Sequence, residues 1–264
     1  MTTDGPVPRT VPGHGRAGRD LRAATVVGLG LAVVVLGTLF VWKPAFVGLA
    51  VIAIVVAVWE LSQALATRGV QIPLVPLTLG SVLMLVGAYV GGADTLVVVL
   101  GVTTIAFVAW RLGVSARGYV RDVTAGIFVA VYVPFLAGFA MLLLQPDDGQ
   151  WRVLTCILVV AASDTGGYVA GVLAGRHPMA PTVSPKKSWE GFVGSVVACL
   201  VVGVLAVVLT LEGDWRAGAV LGAAAVLFFL PVLTHHDDWR LNGRQRGKQQ
   251  VQQNERIGVE NTER

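Results

Sequence analysis

Residues 192–211 read F-V-G-S-V-V-A-C-L-V-V-G-V-L-A-V-V-L-T-L, twenty positions without a charge. A helix rises about 1.5 Å per residue, so twenty residues cover about 30 Å, the thickness of a bilayer's hydrocarbon core. The apolar residues form one block rather than a stripe at helical period, so the segment is apolar all round. A strand of a membrane barrel would alternate over about 10 residues instead. The stretch therefore predicts a spanning helix, and the rest of the chain is read outward from it.

Seven further stretches of the same kind occur. The predicted spans are Ala24–Val41, Ala45–Trp59, Leu74–Val90, Thr95–Trp110, Val123–Leu144, Val153–Ala174, Phe192–Leu211 and Ala217–Thr234. The fold class expected is all-α, a polytopic transmembrane bundle of about eight spans. The 264 residues are 55% hydrophobic and 14% charged, with a mean hydropathy of +0.72. A soluble domain carries about a quarter charged residues, so a soluble enzyme is excluded. The organisation expected is a disordered basic tail over 1–23, a helical membrane domain over 24–234 with a loop at 176–190, and a polar, disordered tail over 235–264. The first span follows Arg16, Arg19 and Arg22, but it is long and no small-residue cleavage site follows, so it reads as a retained anchor.

Charge placement sets the orientation. Of the 20 Lys and Arg residues, all but Lys43, Arg152 and Arg216 fall on one side if the N-terminus is cytoplasmic. Cytoplasmic loops carry such an excess of positive charge. The seven tryptophans lie at or near span ends, as an interfacial belt requires. The localisation expected is a bacterial-type inner (plasma) membrane, multi-pass, with both termini cytoplasmic. The net charge of +4 is thus a topology signal, and no nucleic-acid partner is implied. Cys156 and Cys199 sit inside apolar runs and read as small core residues.

One span breaks the apolar rule. Residues 161–168 read A-A-S-D-T-G-G-Y, which puts Asp164 near mid-membrane beside Ser163 and Thr165. A carboxylate there costs at least about 2.5–3.5 kcal/mol on insertion scales, so it belongs in a bundle interior or a watery cavity. Gly167, Gly171 and Gly175 follow at a spacing of four, which gives the helix a smooth face for close packing. Beyond it runs G-R-H-P-M-A-P-T-V-S-P-K-K-S-W-E-G, residues 175–191, where Pro178, Pro181 and Pro185 oppose a helix. Lys186 and Lys187 present adjacent ammonium groups between Ser184 and Ser188, a set suited to phosphate oxygens. His177 lies in this loop without an assignable role.

S-D-T-G-G-Y at 163–168, followed by S-P-K-K-S-W-E-G at 184–191, resembles the phosphatidate cytidylyltransferases, also called CDP-diacylglycerol synthases. The resemblance covers roughly residues 24–225. It implies a magnesium-dependent transfer in which phosphatidate attacks the α-phosphorus of CTP at the cytoplasmic face. It gives Asp164 and Lys187 as catalytic candidates, with Asp164 also holding the metal. Ser163, Ser184, Lys186, Lys187 and Glu190 are the substrate-binding candidates, Glu190 as an anchor of the loop or of a lysine. CTP and phosphatidate are the expected substrates, the lipid bilayer the surroundings, and a homodimer the oligomer to look for.

The chain departs from the family pattern near its end. Members carry G-D-x-x-E-S, then K-R-D, then P-G-H-G-G-x-x-D-R-x-D, whose carboxylates are the expected magnesium ligands. Here the residues after Leu227 read F-F-L-P-V-L-T-H-H-D-D-W-R and lead into a tail rich in Gln, Arg and Asn. The departure reads as a shifted frame or a truncated copy, and it predicts an inactive or weakly active chain. His235, His236, Asp237 and Asp238 read as a polar exit from the last span rather than a metal site. The reading from another class is a small-solute or ion transporter with Asp164 as its coupling residue.

Overall fold

The computed structural model describes residues 21–113, 118–180 and 184–229. Residues 1–20 of the first expected tail, the whole second tail with His235 to Asp238, and the end of the last predicted span lie outside the described residues. Leu21 to Ala23, expected in the tail, instead begin the first helix. The helices fall into two compact units that divide between Gln145 and Pro146.

In the first unit, α1 (Leu21–Val41) leads through Trp42 into α2 (Lys43–Ala66). Pro44 stands in the first turn of α2, where a missing N–H costs nothing. Next comes α3 (Leu74–Leu112), whose 39 residues are interrupted at Gly92, with φ 76° and ψ −164°. A straight helix would set positions 80 and 103 about 35 Å apart. Instead the backbone of Gly80 lies against the Thr103 side chain, and Gly87 lies against Thr95. The element is a helical hairpin, and its arms match the two separate predicted spans Leu74–Val90 and Thr95–Trp110. Glycine is required at the bend because that φ, ψ combination is essentially closed to side chains.

The unit closes with α4 (Tyr119–Ala130), a π turn (Val131–Phe135) and α5 (Leu136–Leu144), which run on as one rod. Pro134 lies within the π turn, where the wider hydrogen-bond spacing accommodates its missing N–H. Val58, Leu77, Val129 and Ala130 form the core of the unit. Phe107 packs on Gly126, and Leu96 packs on Gly138. Beside this apolar core, the buried Asp122 carboxylate accepts from Arg111 at 2.8 and 3.1 Å and from the Gln71 backbone N–H at 3.1 Å.

The second unit holds α6 (Gly149–Ala174), strands β1 (Pro178–Ala180) and β2 (Ser184–Ser188), α7 (Trp189–Thr210) and α8 (Trp215–Phe229). The segment expected to be a proline-rich loop contains an antiparallel hairpin, with Pro178 opposite Ser188 and Ala180 opposite Ser184. Prolines are compatible with it because a two-stranded ribbon has only edge strands. Glycine governs the helix packing. Gly166 and Gly194 meet backbone to backbone, a Cβ on Gly166 falling 2.8 Å from the Gly194 carbonyl oxygen. Gly203 of α7 meets Gly218 and Gly222 of α8 in the same way. In lipid no hydrophobic force drives helices together, so such close approach supplies van der Waals contact.

The protein is an all-α membrane-type bundle with one small hairpin. Among the described residues, five helices are long and apolar enough to cross a membrane: α2, α3, the α4–α5 rod, α6 and α7. The described apolar parts of α1 and α8, Thr25–Val41 and Trp215–Val226, are shorter. Large side chains such as Val97, Val98 and Ile105 point outward, as a lipid surround permits.

Candidate active site

The site lies in the second unit, where three features of the sequence open a cavity. The first is α6, whose Asp164 and Tyr168 are spaced four apart and therefore share a face. On the same helix, Gly167 and Gly171 leave bare backbone where side chains would fill the space. The second is α7, which starts at Trp189 because Ser188 caps it, its Oγ accepting from the Gly191 N–H at 3.1 Å. The third is the β1–β2 hairpin, which ends directly on that cap and carries Lys187 one residue before it.

Between them is a cavity of about 500 Å³, within the range of small-molecule sites. Its polar lining is Ser163, Asp164, Lys187, Ser188 and Ser195, and its apolar lining includes Tyr168, Met179, Phe192, Val196 and Val226. Asp164 stands ten residues before the end of α6, about 15 Å along the axis. The cavity therefore joins mid-helix depth to the hairpin. Neither Asp164 nor Lys187 has a hydrogen-bond or ion-pair partner among the described residues. Asp164 is exposed to the cavity, and a carboxylate at mid-helix depth in a membrane-type span belongs against such a polar space.

The two catalytic candidates from the sequence thus line one cavity. Ser163 lines it too, though the residue is buried and its carbonyl accepts from Ser195 Oγ at 2.8 Å. Ser184 and Lys186 lie on the backbone of β2, and their side chains fall outside the described residues. Glu190 is not part of the lining. Its carboxylate turns back to His177, accepting from Nδ1 at 2.6 Å and from the backbone N–H at 3.3 Å. Of the alternatives open for Glu190, anchoring the loop is the one this geometry matches. Sequence reasoning did not single out Ser195 and Tyr168, which line the cavity, and it gave no role to His177, which binds Glu190. Ser195 carried a signal, being a hydroxyl inside the apolar stretch 192–211 and four residues from Gly191.

No group of three or more metal-ligating side chains occurs among the described residues. Among the described residues, Asp164 is the single carboxylate lining the cavity. One carboxylate can contribute to holding a hard cation that takes its other oxygens from phosphates and water, since magnesium commonly uses one or two protein carboxylates.

The sequence of the whole helical region matches known proteins. Residues 22–232 match the model of the cytidylyltransferase family. The phosphatidate cytidylyltransferase of Mycobacterium bovis is 38% identical over 225 residues, covering 80% of this chain and 74% of the relative. That of Mycobacterium tuberculosis strain H37Rv is 38% identical over 225 residues, covering 80% and 69%. That of Mycobacterium leprae is 38% identical over 243 residues, covering 83% and 73%. No solved structure matches the chain.

Proposed function

The chain belongs to the cytidylyltransferase family, and from that premise we propose that it joins CTP to phosphatidate, giving CDP-diacylglycerol and pyrophosphate. A phosphatidate oxygen forms a bond to the α-phosphorus of CTP, and the bond from that phosphorus to the bridging oxygen of pyrophosphate breaks. Protein groups contribute little covalent chemistry to such transfers; they position the reactants and neutralise charge. The observation that carries the reading is the single cavity lined by both Asp164 and Lys187.

Lys187 is proposed to hold phosphate oxygens of CTP or phosphatidate, with Lys186 and Ser184 extending the same grip. Ser163 and Ser195 offer polar atoms along the wall, and Glu190 holds the hairpin. Asp164 would hold magnesium, whose contribution when bound is to neutralise the phosphates and orient them. The apolar lining at Phe192, Val196 and Val226 suits the acyl side of a lipid substrate. The proposed setting is a bacterial inner membrane with the hairpin and both termini in the cytoplasm, where CTP is found. Eight spans are proposed, the two arms of α3 counting separately; the 17 positive charges on one side support this arrangement.

The test is incorporation of radiolabelled CTP into lipid by the purified protein with phosphatidate and magnesium. Label in CDP-diacylglycerol, lost in Asp164→Asn, supports the proposal. Label that stays equal in Asp164→Asn and Lys187→Ala would take the reaction away from this cavity.

A further inference from the structure

Lys187 enters the cavity from a short ribbon, and a two-stranded ribbon is marginally stable alone. Something must hold it against α7. The His177 backbone carbonyl accepts from the Trp189 N–H at 3.0 Å, and the next pair along is Pro178 opposite Ser188. On the other side, Glu190 reaches back over this junction. Its carboxylate accepts from His177 Nδ1–H at 2.6 Å and from the His177 N–H at 3.3 Å. Glu190 also lies in the first turn of α7, where a negative charge is favoured by the helix dipole. The two chains that meet there are the exit of α6 and the entry of α7, the helices that carry Asp164 and Ser195. Lys187 is two residues from the point where this contact closes.

We infer that His177 and Glu190 form a clamp across the base of the hairpin that sets where Lys187 stands in the cavity. They are positioning residues that act through Lys187, and the inference rests on the cavity being the CTP site. His177 is largely exposed and contributes nothing to the α6–α7 glycine contacts, so its removal leaves those helices packed. Glu190→Gln keeps an acceptor for Nδ1–H, whereas Glu190→Ala removes it.

The experiment uses the full chain in lipid nanodiscs and has two readouts. The first, without any nucleotide, is backbone hydrogen exchange over Arg176–Glu190. His177→Ala and Glu190→Ala should speed it there, and Glu190→Gln should leave it near the wild-type rate. The second is a double-mutant cycle on CTP affinity with His177→Ala and Lys187→Ala. The single His177→Ala change should weaken CTP binding by about tenfold, and the loss should vanish once Lys187 is already alanine. A merely structural role for His177 would give additive losses instead, and additivity overturns the clamp. So does unchanged exchange in His177→Ala. If the cycle couples as expected but the wild-type protein forms no CDP-diacylglycerol, the clamp stands and the proposed reaction falls.

Discussion

A cavity-lining lysine and a buried, paired arginine mark two kinds of charge in this protein. Lys187 lines the cavity with no partner among the described residues. Lys187→Ala should weaken CTP or phosphatidate binding by about 1.5–3 kcal/mol, the worth of a charged hydrogen bond. Calorimetric titration of both substrates checks this, and unchanged affinity for both would return the hairpin to an ordinary basic loop. Arg111 is the opposite case, since both it and Asp122 are buried and bonded at 2.8 Å. Asp122→Ala leaves a buried guanidinium without its carboxylate, which costs about 3–5 kcal/mol. Asp122→Asn, which keeps acceptor oxygen for the Gln71 N–H, should cost less. Unfolding midpoints in detergent rank the two, and equal midpoints for all three proteins would show the pair to be inert. Sequence reading singled out Asp164 because a carboxylate is out of place inside an apolar span, and Lys187 because it stands beside Lys186 between two serines. It missed Asp122 and Arg111, which flank span ends and look there like ordinary interfacial charges. Their pairing is set by tertiary packing between α3, α4 and the Gln71 segment, and no local pattern encodes it.

Among the helices, the apolar blocks were legible because a bilayer imposes length and composition together. The boundary between Leu74–Val90 and Thr95–Trp110 was legible as well, as a break between two apolar runs. What the sequence left out was the device of the bend, a single residue at φ 76° and ψ −164°. Gly92→Ala should therefore destabilise the first unit by about 1–3 kcal/mol. Gly101→Ala makes the control, since it lies within the helix with no atom within 4 Å of an added Cβ, and it should be neutral or slightly stabilising. Equal unfolding midpoints for both variants would show that the bend tolerates a side chain. The glycine spacing in α6 pointed to close packing but not to its partner. The structure supplies Gly191, Gly194 and Ser195 of α7, and the same bare backbone that lets the helices touch also opens the cavity. The hairpin escaped the sequence reading because prolines at 178, 181 and 185 argue against a helix without arguing for a strand.

For the molecule as a whole, sidedness and turnover are the two properties that decide whether it works. Reporter fusions after Lys43, Asp94, Gln150 and Gly213 should report the periplasm, and fusions after Arg68, Arg117 and Lys187 the cytoplasm. A Lys187 fusion reporting outside would separate the cavity from its CTP supply. Turnover turns on charge: two phosphate-bearing substrates repel, and in such reactions magnesium held on carboxylates offsets the repulsion. Among the described residues the cavity offers Asp164 alone, and Glu190 is engaged with His177. The acidic G-D-x-x-E-S block expected after Leu227 is replaced in this sequence by F-F-L-P-V-L-T-H-H-D-D-W-R. Lysine can still hold phosphate without those carboxylates, so binding and turnover should separate. The 264-residue chain should bind CTP yet form CDP-diacylglycerol slowly. A graft of a family-like acidic block after Leu227 should raise kcat by at least about tenfold, or about 1.4 kcal/mol of barrier, with little change in CTP affinity. Asp164→Asn should abolish the gain, because the grafted carboxylates and Asp164 would share one cation. Fast magnesium-dependent product formation by the ungrafted chain would show that Asp164, alone or with Asp237 and Asp238, already supplies enough.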